Sequence, residues 1–150
     1  MAYTTREFKR KHIVTLDQLL DMQYGQLQAR ERFAGKLSDN ALQTRLGAVT
    51  GVLAILFWKA TTFSVATSIA SLILSSTTSE KKALTTMIDA GYIGLGSAIQ
   101  FLRDPKYDRL EIELPFLEYR DFHTLDLEIA LITGRGRVTR VHAKTGWIPL

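Results

Sequence analysis

Gly91-Tyr92-Ile93-Gly94-Leu95-Gly96 is the first stretch in this chain that could do chemistry, because closely spaced glycines can cradle a phosphate. The order is GxxGxG, whereas a dinucleotide loop reads GxGxxG and lies between a strand and a helix. Here the glycines fall inside a helical pattern, so close helix packing is the stronger reading. Asp121, His123 and Asp126 form a second arrangement. On an extended chain Asp121 and His123 share a face, and a carboxylate there could orient the imidazole for general acid–base work. No partner nucleophile stands out among the many serines, so a non-enzymatic protein is expected. A small nuclease or other enzyme using His123 or His142 is the weakest of the readings. His12, His123 and His142 are too scattered for a metal signature. With no cysteine in the chain, thiol catalysis, disulfides and cysteine metal sites are all excluded. No cofactor is expected.

The basic residues offer a different chemistry, the recognition of anions. Arg135, Arg137, Arg140, His142 and Lys144 are the densest group, and Arg6, Lys9, Arg10 and Lys11 stand against one acid, Glu7, near the start. Either could touch phosphates or anionic lipid. On a strand, however, Arg137 and Arg140 face opposite ways. Glu111, Glu113, Asp126 and Glu128 occupy wet strand positions and could pair with them. Few aromatics interleave the cations, which argues against single-stranded nucleic acid. The net charge of +4 is ordinary for a soluble domain.

The elements that must carry these residues are organised around Leu46 to Leu74, a run in which Lys59 is the only charge. Before it, residues 1–14 are expected to be a basic arm that clamps a neighbour. They do not resemble a signal peptide, because Asp17, Gln18, Asp21 and Gln23 follow where an apolar core would stand. Thr15 with Gln18 has capping-box spacing for a helix that Gly35 can end. A helix over 39–74 is expected, with a break near Lys59 to Thr62 equally compatible. Thr77 with Glu80 caps a second helix over 79–103, stopped by Pro105. The two would form an apolar helical hairpin inside a helical region 15–104. Gly47 and Gly51, at small-xxx-small spacing, would let its helices approach closely, and Asp89 could neutralise Lys59 across it.

After Pro105 the period becomes two. Leu110, Ile112 and Leu114 alternate with Glu111 and Glu113, and Leu125, Leu127, Ile129 and Leu131 alternate with Asp126 and Glu128. Pro115 marks an edge or a bulge, Gly134-Arg135-Gly136 a hairpin turn, and Trp147 a core plug. The fold class is α+β, with helices first and a small antiparallel sheet over 105–150.

A helix apolar on every side is buried in protein or in lipid. A chain of 150 residues has little surface with which to cover so long a hairpin. The leading expectation is therefore a structural or assembly subunit, such as a component of a viral particle or secretion apparatus. Its hairpin (Gly47, Gly51, Trp58, Lys59, Phe63, Asp89, Gly91 and Gly94) would pack against copies of itself or partner proteins. The runner-up inserts the hairpin into a membrane, with Trp58 and Lys59 at headgroup depth. Either way the chain is made in the cytoplasm and ends bound to an assembly or a membrane.

Overall fold

Capping chemistry sets the helix starts. In α1 (Leu16–Phe33) the Thr15 hydroxyl accepts from the Gln18 backbone N–H, and the Gln18 side chain accepts from Thr15 N–H at 3.0 Å. Thr77 and Glu80 repeat this reciprocal pair at α5 (Thr78–Leu102), and the Ser38 hydroxyl caps α2 (Asp39–Leu46). Each arrangement satisfies backbone donors that a helix start leaves open. Gly35, at φ +78°, closes α1, with Gly35 N–H donating to Arg32 O and Lys36 N–H to Glu31 O. That is the Schellman pattern, which requires a left-handed residue.

The computed structural model describes residues 3–121 and 128–150. It is an α+β fold with a five-stranded antiparallel sheet. The remaining elements are β1 (Tyr3–Val14), α3 (Leu53–Phe57), α4 (Thr62–Ser75), β2 (Arg109–Asp121), β3 (Glu128–Ile132), β4 (Arg137–Ala143) and β5 (Gly146–Pro149).

Three expectations are corrected. The basic stretch over 1–14 is no arm, since residues 3–14 form β1 and pair along β2 from Tyr3↔Asp121 to Val14↔Leu110. Phe8, His12 and Val14 alternate on one face there, a period of two that the cluster of charges concealed. Nor is 39–74 one helix: of the two forms left open by the sequence, the break near Lys59 to Thr62 is the one present, with α3 ending at Phe57 and α4 starting at Thr62. It tightens into a 3-10 segment at Gly47–Val52, and α3 ends at Trp58, whose φ is +60°. Thr61 then caps a new helix through its hydroxyl. Third, the two apolar segments do not pair as a hairpin: α4 packs chiefly on α2, and α5 on α1.

Strand β2 organises the sheet. One edge carries β1 throughout, while the other takes β4 along 109–113 and β3 along 116–120, so β3 and β4 lie end to end on β2 without pairing and Gly134-Arg135-Gly136 is a connection along that edge, not the expected hairpin turn. Pro115, which has no N–H to donate, falls in the gap where the partner changes, and its carbonyl accepts from Thr133 N–H at 3.1 Å. A bulge between Glu111 and Ile112 shifts the register opposite Thr139. Ile129, Ala130, Leu131 and Ile132 of β3 are all buried. Because successive strand residues face opposite ways, β3 is covered on both sides, and α3, α4 and α5 all reach it. Buried Gln26 of α1 donates to Ile88 O and Ile132 O at 3.0 and 2.9 Å, tying α1, α5 and β3 together.

Helix α5 comes very close to this layer. A Cβ on Gly94 would collide with the Arg135 backbone, and one on Gly91 would lie 2.7 Å from Gln26 Nε2 and 2.9 Å from Ile132 Cγ2. Nothing stands near Gly47 or Gly51. Their spacing therefore brings no helices together among the described residues. Gly94→Ala should lower unfolding stability by about 1–3 kcal/mol or more, the cost of forced overpacking. Gly47→Ala should change it by under about 1 kcal/mol, in the stabilising direction. Urea titrations of the two variants against the wild type check the contrast.

Candidate functional site

The apolar run divides into an inward and an outward side. Val49, Val52, Leu53, Leu56, Phe57, Val65, Ile69 and Leu72 are buried in the chain's own core. The expectation that the flanks could not shelter this run is corrected to that extent. Phe63 and Leu74 remain outside, 65% and 87% exposed. They lie eleven positions apart on α4, about three helical turns, and so on one side. Thr67 is exposed between them, Ala70 and Ser71 are partly exposed, and α4 has no charged residue. Gly47, Ala48, Thr50, Gly51 and Ala54 are exposed as well. The whole outward side from Gly47 to Leu74 thus has no charge except Lys59. By length and composition alone, Asp39–Phe57 could cross a membrane; 39% of its most apolar window is buried in the fold.

The proposed Lys59–Asp89 pair is replaced. Asp89 accepts from the Arg30 guanidinium of α1, which also meets Glu31 and lies over Tyr92. Both acids hold the Arg30 charge, and its pKa is raised, most by Asp89. Trp58 is drawn to the sheet. Its ring centroid lies 4.8 Å from Phe8 and 5.9 Å from Phe116, and Arg10 sits 4.1 Å over it. His12 joins the cluster edge-on to Phe116. Trp58 Nε1 and His12 Nε2 are buried and meet no hydrogen-bond partner among the described residues.

The basic residues do not form a single patch. Arg6 pairs with buried Glu118 at 2.9 Å, and Arg10 is committed to Trp58 and Phe8. Lys9 and Lys11 point to the opposite face of β1, where Lys11 is 4.0 Å from Glu111. Arg137 meets Glu113 at 3.4 Å and Arg140 meets Glu111 at 3.0 Å. The Arg140 guanidinium, followed by the Thr139 hydroxyl, holds the Glu111 carboxyl below its usual range. Arg135 lies in the turn against Gly94. Sheet register has turned most of these cations into cross-strand partners.

A groove of about 690 Å³ opens where the α5–β2 connection meets the β4–β5 turn. The His142 Nδ1 and an Asp108 oxygen are 2.6 Å apart, and Asp108 N–H donates to His142 O at 3.2 Å. Trp147 stands edge-on to His142, with Arg140 over its ring at 4.1 Å and Arg109 at 5.6 Å. In the β4–β5 register, Trp147 lies opposite His142, on the other face from buried Leu110 and Val141. It is therefore no core plug. Lys106, Lys144 and Thr145 also line the groove. Asp108 escaped the sequence reading and Trp147 was assigned to the core, because neither has a local pattern that points to His142; strand register alone brings them there. His123 and Asp126 lie outside the described residues. Among the described residues no cluster of His, Asp and Glu could hold a metal ion. Comparison with family models, curated proteins and solved structures finds no match.

Two titrations follow from this geometry. Burial first, and Arg10 second, lower the His12 pKa from the ordinary 6.5. The unfolded chain then binds the proton more readily, so His12 adds stability above about pH 6.5 that is lost as pH falls toward the folded value. The melting temperature of His12→Gln should fall less between pH 7 and pH 5 than that of the wild type; parallel curves would refute the assignment. Asp108 titrates below its ordinary 3.8, chiefly through the His142 hydrogen bond. Carboxyl NMR should show that midpoint rising toward the ordinary value in His142→Ala.

Proposed function

We propose that this chain is a non-enzymatic structural subunit of a larger assembly, joined through the outward side of residues 47–74. The observation that supports it is the pair Phe63 and Leu74 on one uncharged side of α4. The chain's own core takes the inward half of the run, so the face that needs a partner is narrower than a whole hairpin. An apolar face of this kind is buried by a copy of the chain or by a partner protein. Components of viral particles and secretion apparatus use such faces, and this chain is proposed to be of that kind.

The Asp39–Phe57 run supports a second reading, attachment to lipid. The two separate cleanly. Light scattering after gel filtration without detergent should give a mass above that of the monomer. Phe63→Glu with Leu74→Glu should return it to monomer while leaving the circular dichroism unchanged. If the wild type is already monomeric and floats with liposomes, lipid is the partner. A monomer that does not float removes both readings.

A further inference from the structure

We propose that the groove beside the Asp108–His142 pair binds a phosphate ester, with the phosphoryl group held by His142, Lys106 and Lys144. The inference is independent of the assembly reading, because the groove lies on the α5–β2 and β4–β5 connections and not on α4.

The imidazole is oriented before any ligand arrives. Asp108 holds Nδ1 at 2.6 Å and is itself tied to the His142 carbonyl through its own N–H, while the Trp147 ring stands edge-on to the imidazole. With the carboxylate on Nδ1, Nε2 is the nitrogen left for a ligand, and in the protonated ring it is a donor. Preorganisation of this kind removes part of the ordering cost of binding.

The charges around the groove favour an anion. Asp108 is the one acid among its lining residues, and its charge is already met by His142 and by Arg109 at 3.3 Å. No acid pairs with Lys144 among the described residues. Lys106 has only Asp104, at 3.7 Å, with Lys106 well exposed and Asp104 partly so, a contact worth little. The neighbouring cations, Arg109 and Arg140, stack on Trp147, and Arg140 is also bound to Glu111. A phosphate monoester suits this set because it carries between one and two negative charges and three acceptor oxygens, enough for two ammonium groups and an imidazole. The Thr145 hydroxyl is a further donor in the groove. A phosphoryl group fills a small part of about 690 Å³, and Pro105 and Ala143 provide apolar wall for a carbon framework.

The test is a titration of the whole chain with phenyl phosphate and, separately, inorganic phosphate, at constant ionic strength set with potassium chloride. Ring NMR signals of the three histidines are followed. A saturable shift of His142, with His12 unmoved and phenyl phosphate binding more tightly than inorganic phosphate, is expected. Lys106→Ala with Lys144→Ala, both at exposed positions, should weaken phenyl phosphate by about tenfold or more. Unchanged circular dichroism would show that this variant is folded. Absence of saturation, an equal shift with chloride alone, or full affinity in the double variant overturns the site. Equal affinity for the two phosphates overturns the ester.

Discussion

Strand β3 must be covered on both faces, and most of the architecture follows from that. Four consecutive buried residues, Ile129 to Ile132, leave no wet side, so helices have to approach from both directions. Side chains alone cannot fill the space where α5 meets the end of β3, because backbone lies against backbone there. Gly91 and Gly94 make the approach possible, and the Gln26 amide takes the Ile88 and Ile132 carbonyls that it leaves without solvent. Pro115 belongs to the same arrangement. It stands where β2 exchanges β4 for β3, at the one edge position where a missing N–H costs no ladder bond.

Much of this was legible in the chain, and what was not has a physical cause. Helix starts at Thr15 and Thr77 could be read because capping is local chemistry between residues three apart. The period of two over Leu110 to Leu114 survived for the same reason, whereas β3 lost it because Ala130 and Ile132 are buried along with Ile129 and Leu131. The strand over 3–14 could not be read, because Arg6, Lys9, Arg10 and Lys11 mask the alternation of Phe8, His12 and Val14, and only the partner strand gives that alternation meaning. For the long apolar run a break near Lys59 to Thr62 and an unbroken helix stood equal, because composition does not report φ. Trp58 adopts a left-handed conformation for which its side chain has no intrinsic preference. That strained residue is held by Phe8, Phe116 and Arg10, all distant in sequence.

Breaking the run at Trp58 also changes what its hydrophobicity means. A straight helix over 39–74 would expose apolar side chains around its whole circumference. Folded back, the run places α2, the 3-10 segment and α3 against α1 and β3, while α4 lies across α2. Its inward residues become core, and a single outward side stays uncovered. The assembly reading therefore rests on a stripe of α4 with few large side chains, and it draws strength from the absence of charge there more than from apolar area.

Charge is distributed by a similar logic. The densest basic stretches of the sequence are the ones that the sheet consumes, since neighbouring strands set Glu111, Glu113 and Glu118 opposite them. Cross-strand pairs form along the ladder. The connection between α5 and β2 and the turn between β4 and β5 lie beyond the ladder, so Lys106 and Lys144 have no strand neighbour to neutralise them. An anion site built from these residues sits at the end of the sheet for that reason: the fold spends its acids along β2, and the cations left over gather where β2 begins.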